Sequence, residues 1–284
     1  MDAQASAPGA GTVLNALATG VGSAFAIDLT VTATVSLTDT TGVTGSIDGV
    51  EGADTHLIER CVEIVTERYG TGEGGTVRTE SEIPIASGLK SSSAAANATV
   101  LATLSALGVA DEVSRTKAAK IGVEAARDVG VTVTGAFDDA SASMLGGVTV
   151  TDNETDTVIH SENREWDVLV WTPPEQAFSS EASVDRCRQL APVADLLADL
   201  TLDGAFEKGM TLNGFLFCAA LDFSPEPLME ALPDAAGVSL SGTGPSFTAV
   251  GTRAELKPVK ERWQQRPGTT LLTTTETNGA IIHD

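Results

Sequence analysis

Basic residues are scarce in this sequence. Lys and Arg number 17 against 39 Asp and Glu over 284 residues, a formal charge of −22. The acidic residues are spread along the chain, so they describe a surface, and a surface of that sign repels nucleic acid. It suits high ionic strength, where salt screens the self-repulsion. Aromatic residues make up only 4%, so the expected core is built from Ala, Val, Leu and Ile. The three cysteines, Cys61, Cys187 and Cys218, lie far apart, which excludes the paired spacing of a zinc site or a disulfide framework and reads as buried thiols in a reducing compartment. No stretch reaches the ~20 apolar residues that span a bilayer, and the first residues lack the basic start and apolar run of a signal peptide. A soluble, cytoplasmic protein with no membrane or nucleic-acid partner is expected. His56, His160 and His283 are scattered, and no Ser-His-Asp set or dinucleotide fingerprint is present.

What the sequence does contain is alternation of strand and helix. Leu29, Val31, Ala33, Val35 and Leu37 alternate with Thr and Ser, the period of a half-buried strand. Helical periodicity predicts helices over His56 to Tyr69, Ser91 to Leu107 and Ser114 to Asp128, the last two stopped by Gly108 and Gly130. A strand over Gly146 to Val150 leads into a turn at Asp152-Asn153-Glu154. Further on, a strand over Trp166 to Trp171 precedes helices over Ala182 to Leu200 and Gly204 to Leu221. Strands near Val238 and Phe247, a helix over Ala254 to Gln265 and a strand over Thr269 to Thr275 complete the chain. The second half reads as an α+β layer, with a soft domain boundary near residue 162.

In so acidic a chain, segments without carboxylates mark places where an anion is not repelled. Residues 3–27 and 235–252 carry no charge, and residues 83–110 carry only Lys90. Each is rich in Gly and Ser, whose small side chains let backbone N–H groups approach a ligand, so the three are expected to wall a phosphate site. The middle one is the most informative. Pro84-Ile85-Ala86-Ser87-Gly88-Leu89-Lys90-Ser91-Ser92-Ser93 leads straight into an apolar helix, whose first unpaired N–H groups and positive dipole end form an anion site. Serine hydroxyls there either cap the helix or reach phosphate and Mg2+. The segment is not a Walker A loop, which needs Gly-Lys-Ser or Gly-Lys-Thr after four spacers.

Pro84 through Ala95 resembles the central motif of the GHMP kinase superfamily, Pro, three spacers and Gly-Leu-Gly-Ser-Ser-Ala-Ala, with Lys90 in place of the second Gly and one extra Ser. Gly88-Leu89-Lys90-Ser91-Ser92-Ser93-Ala94 followed by Asn97 is similar in particular to the archaeal-type shikimate kinases. So are Asn15-Ala16, Thr19-Gly20, Gly22 to Leu29 and Gly135-Ala136-Phe137-Asp138-Asp139-Ala140, while Leu240 to Ser246 matches the third GHMP motif. The resemblance implies an α+β, two-domain GHMP kinase fold: an N-terminal α/β domain (residues 1–162) with a left-handed crossover and a ferredoxin-like C-terminal domain (residues 163–284), with ATP between them. It further implies transfer of the ATP γ-phosphate to the 3-hydroxyl of shikimate with Mg2+. Homoserine kinases share the fold and motifs, and a nucleotide-binding protein without catalysis is the reading from another class.

Residue roles follow from the same resemblance. Asp138 matches the catalytic Asp that orients or deprotonates the attacking hydroxyl in a Gly-x-Asp-Asn-like turn, and Lys90 is expected to meet phosphate or the substrate carboxylate. ATP would be held by Pro84, Ile85, Ala86, Ser87, Gly88, Leu89, Lys90, Ser91, Ser92, Ser93, Ala94, Gly242 and Gly244. Mg2+ would be held by Ser92, with Ser91 and Ser93 as alternatives, and by Glu124, which otherwise reads as an exposed partner of Lys120 or Arg127. Asp139 stands where the family has Asn, and two adjacent carboxylates beside ATP repel unless Mg2+ or a hydrogen bond compensates. Arg60, Arg78 and Arg127 are candidates for the substrate carboxylate, and Asp28 for its hydroxyls.

Overall fold

A computed structural model describes residues 1–84, 87–132, 135–174 and 183–283. The chain begins with two long antiparallel strands, β1 (Asp2–Leu14) and β2 (Val21–Thr38). The uncharged run of residues 3–27 supplies all of β1 but Asp2 and the first seven residues of β2. Gly11 lets the strands close over the Phe25 ring, since a Cβ there would lie 2.3 Å from it. Next come β3 (Val43–Ile47), α1 (His56–Tyr69) and β4 (Gly74–Ser81), with β3 and β4 parallel across the helix. Helix α1 matches its expected bounds.

The central helix α2 (Ser91–Ala106) carries no charge, is buried on every side from Ala96 to Leu104 and packs on β1, β2, α1 and α3 (Arg115–Asp128). A helix of that kind belongs in a core. Burying Leu101 and Leu104, both nearly inaccessible, contributes roughly 1.5–3 kcal/mol each. Ser114 caps α3 by accepting from the Lys117 backbone N–H. The segment at Asp138, expected as a turn, is instead the first turn of α4 (Phe137–Leu145), entered through Ala136 at φ 50°. Strands β5 (Val148–Asp152) and β6 (Thr157–Glu162) follow. Strand β2 pairs β4 along its outer half and β5 along its inner half, so the first sheet branches.

Residue 162 ends β6, and a second sheet begins with β7 (Asp167–Thr172). The helix expected over Ala182 to Leu200 is two pieces, α5 (Val184–Arg188) and α6 (Ala191–Leu202), with a break at Gln189 and Leu190; Ala182 lies outside the described residues. After α7 (Phe206–Ala220) comes the short α8 (Glu226–Ala231), which helical periodicity did not bring out. Strands β8 (Gly237–Leu240) and β9 (Phe247–Gly251), helix α9 (Arg253–Trp263) and strand β10 (Thr269–Thr274) complete a four-stranded antiparallel sheet in the order β10-β7-β9-β8. That is the βαββαβ arrangement of a ferredoxin-like unit. The last strand, β11 (Ile281–His283), leaves it and pairs with β1. Residues 163–284 therefore do not all belong to the second sheet: the uncovered edge of β1 recruits the chain's end. Among the described residues no helix is long and apolar enough to cross a membrane.

Candidate active site

Three segments far apart in sequence are tied together by hydrogen bonds between side chains and backbone. Ser241 Oγ donates to the Gly88 carbonyl at 2.9 Å, the Gly242 N–H to Thr12 Oγ1 at 2.8 Å, and Asn15 Nδ2 to the Gly242 carbonyl at 2.9 Å. Gly88 sits at φ 77°, and a Cβ there would lie 2.4 Å from the Ser241 carbonyl oxygen. The loop before α2 and the loop between β8 and β9 thus meet at a distance only glycine allows. Asn15 is itself held by buried Asn213, whose Oδ1 accepts the Asn15 N–H at 2.9 Å.

Between these segments, α3 and the start of α4 lies a cleft of about 400 Å³. Of the residues expected to hold ATP, Ser87, Gly88, Lys90, Ser91, Ser92, Ser93, Gly242 and Gly244 line it. Pro84, Leu89 and Ala94 do not. Leu89 is buried in the core and its carbonyl accepts the Ala10 N–H, Ala94 is buried beneath the first turn of α2, and Pro84 is an exposed residue whose carbonyl accepts from Ser87 Oγ. Ile85 and Ala86 lie outside the described residues. The first uncharged run is also corrected: most of it is buried strand, and the cleft takes only Thr12 and residues 15–17 from it.

Asp138 lies in the cleft wall at 5% exposure. Asn153, in the β5–β6 turn, donates from Nδ2 to Asp138 Oδ1 at 2.7 Å and accepts the Asp138 backbone N–H on Oδ1 at 3.0 Å. Thr151 Oγ1 donates to the same Asn153 oxygen at 2.8 Å. On the other side, a Cβ on Gly22 would stand 2.5 Å from Asp138 Oδ2. Burial pushes the Asp138 carboxyl up from the ordinary carboxylate range to about 7; the Asp139 charge adds to the rise, and Lys90 and the Asn153 hydrogen bond oppose it.

Lys90 adopts the left-handed conformation at φ 66° as it enters α2, as the Gly it replaces in the motif would. Its ammonium lies 2.8 Å from Asp139 Oδ1, with the two side chains only 10% and 13% exposed. A Cβ on Gly242 would lie 2.8 Å from the same nitrogen. Among the described residues lining the cleft, Lys90 is the one cation.

Glu124 is not brought to Ser92. The residues of α3 that face the cleft are Gly122, Val123 and Ala126, and at about 100° per residue Glu124 falls on the opposite side. There it pairs with Arg68 in a separate recess that also holds Lys117 and Lys120. Arg60, Arg78 and Arg127 are likewise outside the cleft, paired with Asp128, Asp48 and Asp156. Asp28 carries no contact to the cleft; its carbonyl accepts from Thr273. Sequence reasoning missed Asn153 and Asn213. Asn153 reads in the sequence as a turn former, and nothing local signals that it reaches α4.

The description "GHMP kinases N terminal domain" fits residues 56–147. The chain is 60% identical over 281 residues to the shikimate kinase of Halobacterium salinarum, covering 99% of each chain. It is 52% identical over 263 residues to the shikimate kinase of Methanococcoides burtonii, covering 92% of this chain and 91% of that one. Among solved structures, a homoserine kinase from Cytophaga hutchinsonii superposes with a TM-score of 0.78 at 17% identity, over 99% of this chain and 97% of that chain. The mevalonate kinase of Methanococcus jannaschii does so with a TM-score of 0.76 at 15% identity, over 97% and 98%. At such identities the superpositions speak for the fold alone.

Proposed function

The chain belongs to the GHMP kinases, among the shikimate kinases of the archaeal type, and we propose that it transfers the γ-phosphate of ATP to the 3-hydroxyl of shikimate. The products are shikimate 3-phosphate and ADP. The observation that carries the site is the clamp on Asp138: one carboxylate oxygen is tied to Asn153, and the other remains beside Gly22 at the cleft wall.

In this reading the acceptor hydroxyl oxygen attacks the γ-phosphorus as the β–γ bridging oxygen leaves with its electron pair. Asp138 Oδ2 receives the hydroxyl proton. A carboxylate with a raised proton affinity is better matched to that task near neutral pH than an ordinary one. Positioning and charge stabilisation supply most of the acceleration in phosphoryl transfer. Here the N–H groups at the start of α2, the hydroxyls of Ser91 to Ser93 and the Lys90 ammonium are the donors for the phosphate oxygens. The homologous kinases imply ATP as donor.

Mg2+ accompanies ATP in this proposal as the nucleotide's counter-ion. Such an ion keeps phosphate and water ligands and needs only one or two from protein. That fits a cleft in which, among the described residues, no group of three acidic, His or Cys side chains gathers, while Ser92 offers a hydroxyl. Bound there, it would neutralise charge on the phosphate oxygens. We assign residues 1–162 to the ATP-binding domain and 163–284 to the second domain, apart from the returning β11, and place the reaction in the cytoplasm.

The test is ADP release measured with shikimate and with homoserine as acceptors. Turnover with shikimate alone is expected; turnover with homoserine alone would overturn the substrate.

A further inference from the structure

At the start of α4 two carboxylates stand side by side in a closed environment, and one ammonium serves them. Asp139 has Lys90 Nζ at 2.8 Å, yet its Oδ1 is enclosed and accepts no well-aligned hydrogen bond. Its neighbour Asp138 has the Asn153 amide. Among the described residues no other charge lines this part of the cleft. The β5–β6 turn brings Asn153, which is neutral, with Arg127 and Asp156 paired to each other at its outer side and Glu154 exposed next to Gly20; β2 brings Gly22. Lys90 holds its place at a left-handed backbone position, which a side chain occupies only at a cost in strain.

Resting on the assignment of Asp138 as the base, we propose that Lys90 and Asp139 form a compensated charge pair that leaves Asp138 as the one uncompensated charge of the site. Each partner has a separate task. Lys90 cancels the Asp139 charge, so that the two adjacent carboxylates do not share a proton that would silence Asp138. Asp139 holds the ammonium against Gly242 and off Asp138, because an ammonium released from it would pair with Asp138 and weaken it as a base. Both are positioning residues toward Asp138, and the pair explains why Asp stands at 139 together with Lys at 90. Breaking one side of a buried pair leaves a bare charge, whereas removing both leaves none.

The experiment is a double-mutant cycle read as pH profiles of kcat/KM, with folding checked by thermal melts in molar KCl. Lys90→Met should move the acid limb up by about 1 unit or more, and Asp139→Asn should move it down by a similar amount. The double variant should return the limb to within about half a unit of wild type, since the two effects oppose. Lys90→Gly, which relieves the backbone, should behave as Lys90→Met and guards against a folding artefact. Limbs that stay in place, or move in the same direction for both single variants, overturn the pair. Carbon NMR titration of the Asp138 carboxyl in the nucleotide-free protein reads the same shifts without turnover. If those shifts follow the cycle while Asp138→Asn turns over normally, the pair stands and the base assignment falls.

Discussion

Asn153 grips Asp138 twice, donating to its carboxylate at 2.7 Å and accepting its backbone N–H at 3.0 Å. One buried side chain in a hairpin turn therefore fixes both the position of the first turn of α4 and the rotamer of the carboxylate. Asn153→Ala is expected to lower kcat roughly 10- to 100-fold and, by leaving a buried donor and acceptor unpaired, to destabilise the fold by about 1–3 kcal/mol. Steady-state kinetics with a urea titration measures both; unchanged kcat would mean that the turn only braces the helix.

Asp138→Asn should reduce kcat by about 100-fold or more while stabilising the protein at alkaline pH. The native carboxyl holds its proton up to about 7, whereas the unfolded chain releases it in the ordinary carboxylate range. Native protein thus binds more protons between those values, and stability falls as pH rises through that window. The variant removes the penalty. Its Tm should exceed that of wild type at pH 8, by roughly 2–4 °C per kcal/mol, and the gap should close below pH 5. A gap independent of pH would argue against a raised Asp138 carboxyl.

Gly22→Ala places a methyl 2.5 Å from Asp138 Oδ2, a separation that real side chains do not tolerate. The carboxylate must turn, so kcat should fall at least ~10-fold, as misplacement of a reacting group by about 1 Å does, with KM for ATP little changed. A variant with full kcat would show that Oδ2 does not face the acceptor.

Glu124→Gln tests a placement. Its carboxylate pairs with Arg68 away from the cleft, and the loss of one exposed pair should cost only about 0–1 kcal/mol. The Mg2+ concentration for half-maximal rate is expected to stay within about twofold of wild type. An increase of tenfold or more would put Glu124 on the metal in the working complex.

Ionic strength should matter to the whole fold. With a formal charge of −22, dilute buffer leaves the carboxylates repelling one another over a Debye length of ~30 Å at 0.01 M, against ~3 Å at 1 M. The Tm is expected to rise by several degrees or more between dilute buffer and molar KCl; a flat melt would show that the surface charges are already paired.

Much of this was legible in the sequence because it depends on local pattern. The apolar period of α1, the Gly and Ser ahead of α2, and the uncharged setting of Lys90 are all local, and the shikimate kinase resemblance rests on contiguous motifs. Elements with weak patterns were not legible: β1 has six Ala and Gly among its 13 residues, β3 is only five residues long with no fully buried side chain, and β11 is a three-residue strand. Each exists because a neighbouring strand offers unpaired backbone groups, a tertiary fact without local mark.

The sequence by itself determined that the chain carries a Gly- and Ser-rich loop before a helix without charge, an Asp pair downstream and a further Gly-rich loop. Only the tertiary structure decided that Glu124 turns away from Ser92, that Asn153 clamps Asp138, and that Lys90 answers Asp139. The reason is physical: motifs record which residues a backbone conformation needs, while the direction of a side chain and its partner across the fold are set by packing between elements.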